Sequence, residues 1–306
     1  MHDAIIIGAG PAGLTASIYL ARKKIDFLLI SKDVGGQALL SSDVENYLGY
    51  HLVSGAELVK KFQEHLEYYK IKIRNDEVVD IKKKGKIITV VTDKGKYECK
   101  TLVIASGKKP RRLEISGEKE FLGRGVTHCA TCDAPLFTEK NVAVVGSGNS
   151  ALDAVLQLTK IANKIYLLNR WKKLTADNVM IEKAKKNDKV KILNETNITK
   201  IIGDKFVSAV EIEKKGRREK IAVSGVFIEI GTIPNVEFAK IVKKNKRNEI
   251  MISRCTEMFK ENMTSVPGIF AAGDVTDIPE KQIIVAAGEG AKAALAAADY
   301  LSKMKD

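Results

Sequence analysis

The segment Cys129-Ala-Thr-Cys132-Asp133 is where residue type and spacing point most directly to chemistry. A CxxC spacing brings two sulfurs within reach of a reversible disulfide, and a neighbouring thiol and a helix N-terminus both favour a thiolate there. His128 and Asp133 flank the pair with titratable groups, and Asp133 is placed to supply or accept a proton as the dithiol forms. A zinc site needs four ligands. The chain has no second CxxC, and His2, His51 and His65 lack ligand spacing, so no metal centre is expected. Cys99, alternating with apolar residues, and the isolated Cys255 read as inert thiols.

Two glycine turns carry the second kind of chemistry. Gly8-Ala-Gly10-Pro11-Ala12-Gly13 follows the apolar run at 4–7, and Gly146-Ser-Gly148-Asn149-Ser150-Ala151 follows the run at 141–145. In such a turn the first glycine allows the sharp bend, and the second lets backbone approach a pyrophosphate. The third, small residue lets helix and strand pack. The anion then sits on the helix N-terminus, where free N–H groups point. Each turn lies between a strand signal and a helix signal, at 14–22 and 151–159, which is the context that gives the motif meaning. The residue closing the next strand reads the ribose: a carboxylate suits NAD, a cation a 2′-phosphate. In the second unit that stretch is Asn169-Arg170-Trp171-Lys172-Lys173, cationic and without a carboxylate, with Trp171 available to stack on adenine.

The elements that must position these groups form a repeat. Gly8 and Ser31 are 23 residues apart, as are Gly146 and Asn169. Each half also ends alike, in Gly107-Lys-Lys-Pro110 and Gly231-Thr-Ile-Pro234. An internal duplication of a nucleotide-binding unit explains both coincidences. Alternating strands and helices make the chain α/β. Further β-elements are expected at 81–90, 97–104, 206–215 and 219–228. A strand over 265–274 and a long alanine-rich helix over 288–303 follow, so that one unit draws on both ends of the chain. At 306 residues and roughly 100–200 residues per domain, two domains are expected.

Composition bounds the partners. With 45% hydrophobic and 29% charged residues the chain can bury a core. No segment reaches the ~18–20 apolar residues that span a bilayer. His2 and Asp3 precede the first strand without a basic region, so a cytoplasmic protein with no membrane association is expected. The net charge of +13 is scattered over stretches at 82–84, 217–220 and 243–247, which read as solvated loops; no nucleic-acid partner is expected.

Taken in order, Gly8 to Gly13, Gly35-Gly36-Gln37, Val44-Glu45-Asn46, Ala105-Ser106-Gly107, Cys129 to Asp133, Gly146 to Ala151 and Ala271-Ala-Gly273-Asp274 resemble the low-molecular-weight thioredoxin reductases over essentially the whole chain. Lys281-Gln282-Ile283-Ile, Gly288-Glu-Gly-Ala-Lys292 and Lys173-Leu-Thr-Ala-Asp177 are similar to the flavoprotein subunit of alkyl hydroperoxide reductase, without that family's extra N-terminal domain. The resemblance implies two Rossmann-like three-layer domains: a discontinuous FAD-binding domain (1–110 and 241–306) and an inserted NAD(P)H-binding domain (111–240) carrying the CxxC pair. It implies that Gly8, Gly10, Pro11, Ala12 and Gly13 hold the FAD pyrophosphate. Ser31, Lys32, Gly35, Gly36, Gln37, Asn46, Val79, Ala105 and Gly107 would line that cofactor, with Gly273 and Asp274 at the ribityl chain and Gln282 and Ile283 at the flavin ring. Gly146, Gly148, Asn149, Ser150, Ala151, Asn169 and Arg170 would hold the coenzyme.

By the same resemblance Cys132 faces the flavin, Cys129 attacks the disulfide of a thioredoxin- or glutaredoxin-like protein, and the enzyme is a homodimer. The central domain is expected to rotate so that the cysteine pair and the nicotinamide take turns at the flavin. One departure bears on the coenzyme. NADPH-using members carry His-Arg-Arg and a further Arg downstream, whereas this chain has Asn169-Arg170-Trp171 and Thr175, so the coenzyme is NADPH or NADH. Other readings of the same cysteine chemistry are a ferredoxin or deazaflavin donor, and the reductase component of a peroxiredoxin system.

Overall fold

The computed structural model describes residues 1–40, 44, 46–128, 130–254 and 261–304, without the side chains of Leu40, Thr131 and Cys132. Two compact units divide the chain, Met1–Lys109 with Ile233–Asp306, and Pro110–Thr232.

The first unit begins with β1 (His2–Ile7), α1 (Pro11–Arg22), β2 (Phe27–Ile30), α2 (Gly55–Tyr68) and β3 (Ile73–Arg74). Then come β4 (Val78–Lys84), β5 (Ile87–Thr92), β6 (Lys96–Ile104) and β7 (Lys108–Pro110). Among the described residues its main sheet has the order β3-β2-β1-β6-β5-β4. β1, β2, β3 and β6 run parallel, whereas β4, β5 and β6 form an antiparallel meander. The apolar run of β1 is continuous because both faces are covered. Ala4 and Ile6 pack with Leu14, Ile18, Ala293 and Ala297 on the helical side, while Ile5 and Ile7 pack with Ile88, Val90 and Ile250 on the other.

The second unit holds β8 (Val126–Thr127), α3 (Ala130–Asp133), β9 (Asn141–Val145), α4 (Asn149–Thr159), β10 (Lys164–Asn169) and α5 (Asn178–Lys185). It continues through β11 (Val190–Asn194), β12 (Thr196–Gly203), β13 (Val207–Lys214), β14 (Arg217–Ala222) and β15 (Gly225–Ile228). A parallel sheet of order β11-β10-β9-β15-β8 stands beside an antiparallel β12-β13-β14 sheet. The burial logic of β1 returns in β9. Val142 and Val144 pack with Leu152, Val155 and Leu158 of α4, and Ala143 and Val145 pack with Ile201, Val210 and Val226.

β16 (Thr232–Pro234), β17 (Ile269–Ala271) and α6 (Ile283–Lys303) complete the chain. β17 joins the first sheet parallel to β6. The segment expected as one strand over 219–228 is two, β14 and β15, separated at Val223-Ser224 where the chain passes from one sheet to the other. The strand expected over 265–274 is confined to the three residues of β17, and the last helix starts at Ile283, five residues before its expected start.

Pro110 and Pro234 end β7 and β16, which pair with each other. The return to the first unit comes at Ile233, eight residues before the expected boundary at 241. The cause is packing: Val236, Phe238, Ala239 and Val242 belong to the same buried cluster as Ile5 and Ile7. A boundary placed from turn signals alone does not register such long-range burial.

Candidate active site

Gly8 sits at the end of β1 with φ +101°, a region L side chains rarely adopt, and a Cβ there would lie 2.3 Å from the Ala105 carbonyl oxygen. A Cβ on Gly13 would lie 1.8 Å from the Gly8 carbonyl oxygen, whereas one on Gly10 would meet nothing within 4 Å. The turn is therefore closed where strand and helix pack and open where an anion would approach. Gly10 is the N-cap of α1, Pro11 is its first residue, and no side chain caps it. By contrast, the N-cap Ser54 of α2 bonds Glu57 in a capping box. Of these two helices, only the one with the glycine turn leaves its leading N–H groups uncapped by a side chain.

Several of the other residues expected at this cofactor lie against the turn, and others lie elsewhere in the first unit. The Ala9 N–H donates to Ser31 Oγ at 3.1 Å, and the Gly35 N–H donates to the Ala9 carbonyl at 2.8 Å. A Cβ on Gly36 would lie 3.4 Å from the Gly10 Cα, so the 35–36 turn crosses the glycine loop, with Gln37 exposed just beyond it. Gly273, at φ +76°, abuts Ala12, and Asn46 Nδ2 donates to Gln282 Oε1 at 3.0 Å. Ile283 packs with Val44, Val53 and Leu58. Lys32 is ion-paired with Glu77, which brings the start of β4 beside the end of β2; Val79 stands there, exposed, at an irregularity in the β4–β5 pairing. Gly107 adopts φ +62°, and its carbonyl accepts the Asn235 N–H at 3.0 Å. Asp274 lies near Lys281, Lys108 and Glu249. Burial pushes its carboxyl up, the two lysines pull it down and Glu249 adds to the rise, leaving it raised.

The second turn repeats the design. A Cβ on Gly146 would lie 2.2 Å from the Glu229 carbonyl oxygen and 2.7 Å from the Ala151 Cβ. Gly148 caps α4 without a side-chain hydrogen bond, and Ser150 is exposed in the first turn. Asn149 holds the loop at 172–177: it donates to Asp177 Oδ2 at 3.0 Å and accepts the Asp177 N–H at 2.8 Å. Thr175 joins Ser147 through their hydroxyls at 3.1 Å. Asn169, expected to contact the coenzyme, has no exposed surface. Its amide bonds the Trp171 backbone and Asn194, so it shapes the strand end rather than facing solvent. Arg170 stacks its guanidinium 4.4 Å from the centre of the Trp171 ring, which is itself half exposed.

Cys129 lies outside the described residues, as do Glu45 and Cys255, and Cys132 is placed by backbone only, on α3. Asp133 closes that short helix and is half-buried. Cys99 is fully buried, and burial pushes its thiol up to about 12. Among the described residues no group of three or more His, Cys, Asp and Glu could hold a metal ion, and no helix is long and apolar enough to cross a membrane.

Two features have structural roles that no local pattern announces. A Cβ on Gly290, within the Gly288 to Lys292 stretch, would lie 2.0 Å from the Ala12 carbonyl oxygen, so this glycine sets how closely α6 approaches α1. Glu229, just after β15, accepts the Ala130 N–H on its carboxyl. Burial, with the negative charge of Asp153 adding, pushes that carboxyl up to about 7.

Residues 2–292 match the family described as pyridine nucleotide-disulphide oxidoreductase. The chain belongs to this family. Its fold is similar to that of thioredoxin reductase from Lactococcus lactis, with a TM-score of 0.86, 33% identity, and 99% of this chain and 100% of that one covered. A ferredoxin-flavin thioredoxin reductase from Clostridium acetobutylicum is 32% identical with a TM-score of 0.56, covering 99% and 98%. The F subunit of alkyl hydroperoxide reductase from Staphylococcus aureus is 37% identical over 305 residues, 98% of this chain. The chain spans 59% of the length of that relative.

For this oxidoreductase, membership implies two nucleotide cofactors, FAD and a pyridine nucleotide. The residues present fit them: each turn is open where a Cβ would stand on its second glycine and opens a helix without a capping side chain. In the first unit, Asp274→Ala is expected to weaken flavin retention about ten- to hundredfold, the worth of a hydrogen bond to a charged group. Free-flavin fluorescence after ultrafiltration checks this; retention equal to that of the parent would remove Asp274 from the cofactor site.

Proposed function

We propose that the chain is an NAD(P)H-dependent disulfide reductase whose electrons pass through FAD and the Cys129–Cys132 pair to a thioredoxin- or glutaredoxin-like protein. The observation that carries this reading is the combination, in one chain, of two glycine turns of one build with a CxxC pair in the second unit. Bound FAD supplies a two-electron carrier between the pyridine nucleotide and the cysteines. The protein's residues do the rest. Gly8 to Gly13 and Gly146 to Ala151 present helix N-termini to pyrophosphates. The Cys129–Cys132 disulfide takes up two electrons and two protons to become a dithiol, with Asp133 as the proton-handling group. The Cys129 thiolate attacks a partner disulfide, forming a mixed disulfide and releasing one partner thiolate. Cys132 then attacks the Cys129 sulfur, freeing the reduced partner and restoring the internal disulfide. The proposal includes a cytoplasmic homodimer. The similarity to the alkyl hydroperoxide reductase flavoprotein supports a peroxiredoxin system as the setting.

The coenzyme site supports weak selectivity. Arg170 is the one cation kept from the NADPH pattern, and an exposed guanidinium is worth up to about 1 kcal/mol in an ion pair. Anaerobic stopped-flow reduction is expected to show bleaching by both coenzymes, with NADPH favoured less than about tenfold. A preference of several hundredfold would disprove this reading of the 169–177 loop. Bleaching by neither coenzyme would favour a ferredoxin-type donor, a reading to which the Clostridium relative gives some weight.

A further inference from the structure

Glu229 stands where the strand order of the second unit reverses, between β9 and β15, the place where open α/β sheets bind ligands. Its N–H donates to the Val145 carbonyl at 2.8 Å, and its own carbonyl walls the Gly146 turn. Its carboxyl reaches in another direction, to the N–H of Ala130. Ala130 is the residue after Cys129 and opens the helix that carries Cys132. One residue therefore touches both the coenzyme turn and the cysteine segment, and the chemistry proposed above makes no use of it.

We propose that Glu229 is a positioning residue for the cysteine pair: its carboxyl holds the Ala130 N–H, and its charge governs how readily the reduced pair forms a thiolate. The inference rests on Cys129 and Cys132 being the redox pair. An ionised carboxylate held on the N–H of Ala130, the residue that follows Cys129 in the chain, would disfavour a second negative charge on the pair and raise the pKa of its thiol; a neutral carboxyl would not. Burial and Asp153 bring the ionisation of Glu229 near neutrality. Rising pH then acts twice, promoting the thiolate directly and opposing it as Glu229 ionises. The two groups titrate as a coupled pair and spread the pH profile. Among the described residues, the elements packed against this position also carry Asp153 on α4, His128 just after β8, Asp133 at the end of α3, and Glu211, Glu213 and Lys214 on β13; the 146–148 turn contributes none. His128 Nδ1 lies 3.4 Å from the Ile228 carbonyl, so it needs its own control.

The test is alkylation of the phosphine-reduced holoprotein by iodoacetamide from pH 5 to 10, with Cys129 and Cys132 peptides quantified by mass spectrometry. The parent is expected to show a broad two-step profile. Glu229→Gln keeps an oxygen for the Ala130 N–H and removes the charge. It is expected to give a single step at lower pH and alkylation about three- to tenfold faster near pH 7.5, corresponding to half to one pKa unit. Asp153→Asn, on an exposed position of α4, is expected to move the Glu229 step to lower pH, and it leaves the Glu229 carboxyl itself in place. A Glu229→Gln profile superimposable on the parent's, or a step that survives Glu229→Gln and disappears in His128→Gln, overturns the inference. So does an unshifted Asp153→Asn profile. The assay needs no coenzyme or protein partner. A profile that responds as expected in a protein unable to reduce any disulfide would refute the proposed function alone. Turnover with an indifferent profile would refute Glu229 alone.

Discussion

Cys129→Ser is expected to abolish transfer to protein disulfides while its flavin is still reduced by coenzyme. A serine hydroxyl is not ionised near neutrality and cannot form a mixed disulfide, so turnover with a thioredoxin-like acceptor should fall by about three orders of magnitude or more. The complementary change separates the two sulfurs. A reduced Cys132→Ser protein keeps the attacking thiol and lacks the resolving one, so it should accumulate a covalent complex with its partner, visible as the summed intact mass. Sustained turnover by Cys129→Ser, or a trapped complex in Cys129→Ser and not in Cys132→Ser, would reverse the assigned roles.

Gly8→Ala and Gly146→Ala should separate the two nucleotide sites. In the first, the new methyl falls 2.3 Å from the Ala105 carbonyl oxygen at a residue with φ +101°. Strain and collision together are expected to cost about 3 kcal/mol or more. The protein should be purified with little flavin and a lowered melting temperature. In the second, the methyl falls 2.2 Å from the Glu229 carbonyl oxygen. That damage stays in the second unit, so flavin should be retained while bleaching by coenzyme is lost. Gly95→Ala is the control, since a Cβ there meets nothing within 4 Å. Flavin-to-protein absorbance and anaerobic coenzyme titration read both outcomes. Equal flavin loss in the two variants would argue against separate cofactor roles for the two turns.

Much of the site was legible in the sequence because its determinants are local. A glycine turn needs its three small residues within six positions, between a strand and a helix, and both turns can be read that way at Gly8 and at Gly146. The reading of β1 and β9 as buried strands is equally local, since a run such as Ala4-Ile5-Ile6-Ile7 has no polar face to offer water. Spacing alone also points to Cys129 and Cys132 as a redox pair. The 23-residue recurrence between the halves carried the duplication without any reference to three dimensions.

What depended on contacts between distant residues was not legible. Asn169 sits where a cofactor contact is expected, yet its amide is engaged by Trp171 and by Asn194, 25 residues away. Residues 233–240 lie next to the second unit in sequence, but Val236, Phe238 and Ala239 are buried with Ile5 and Ile7, and burial decides the boundary. Gly290 matters only because Ala12 passes within 2.0 Å of where its Cβ would be. Glu229 carries no motif at all. Its importance arises because β15 lies beside β9 and carries a carboxyl to Ala130, roughly a hundred positions earlier in the chain. The sequence by itself therefore determined the turns and the strands, whose physics is complete within a few residues. The tertiary structure alone decided which side chains are consumed in holding the chain and where each unit ends, because those outcomes depend on partners that only folding brings together.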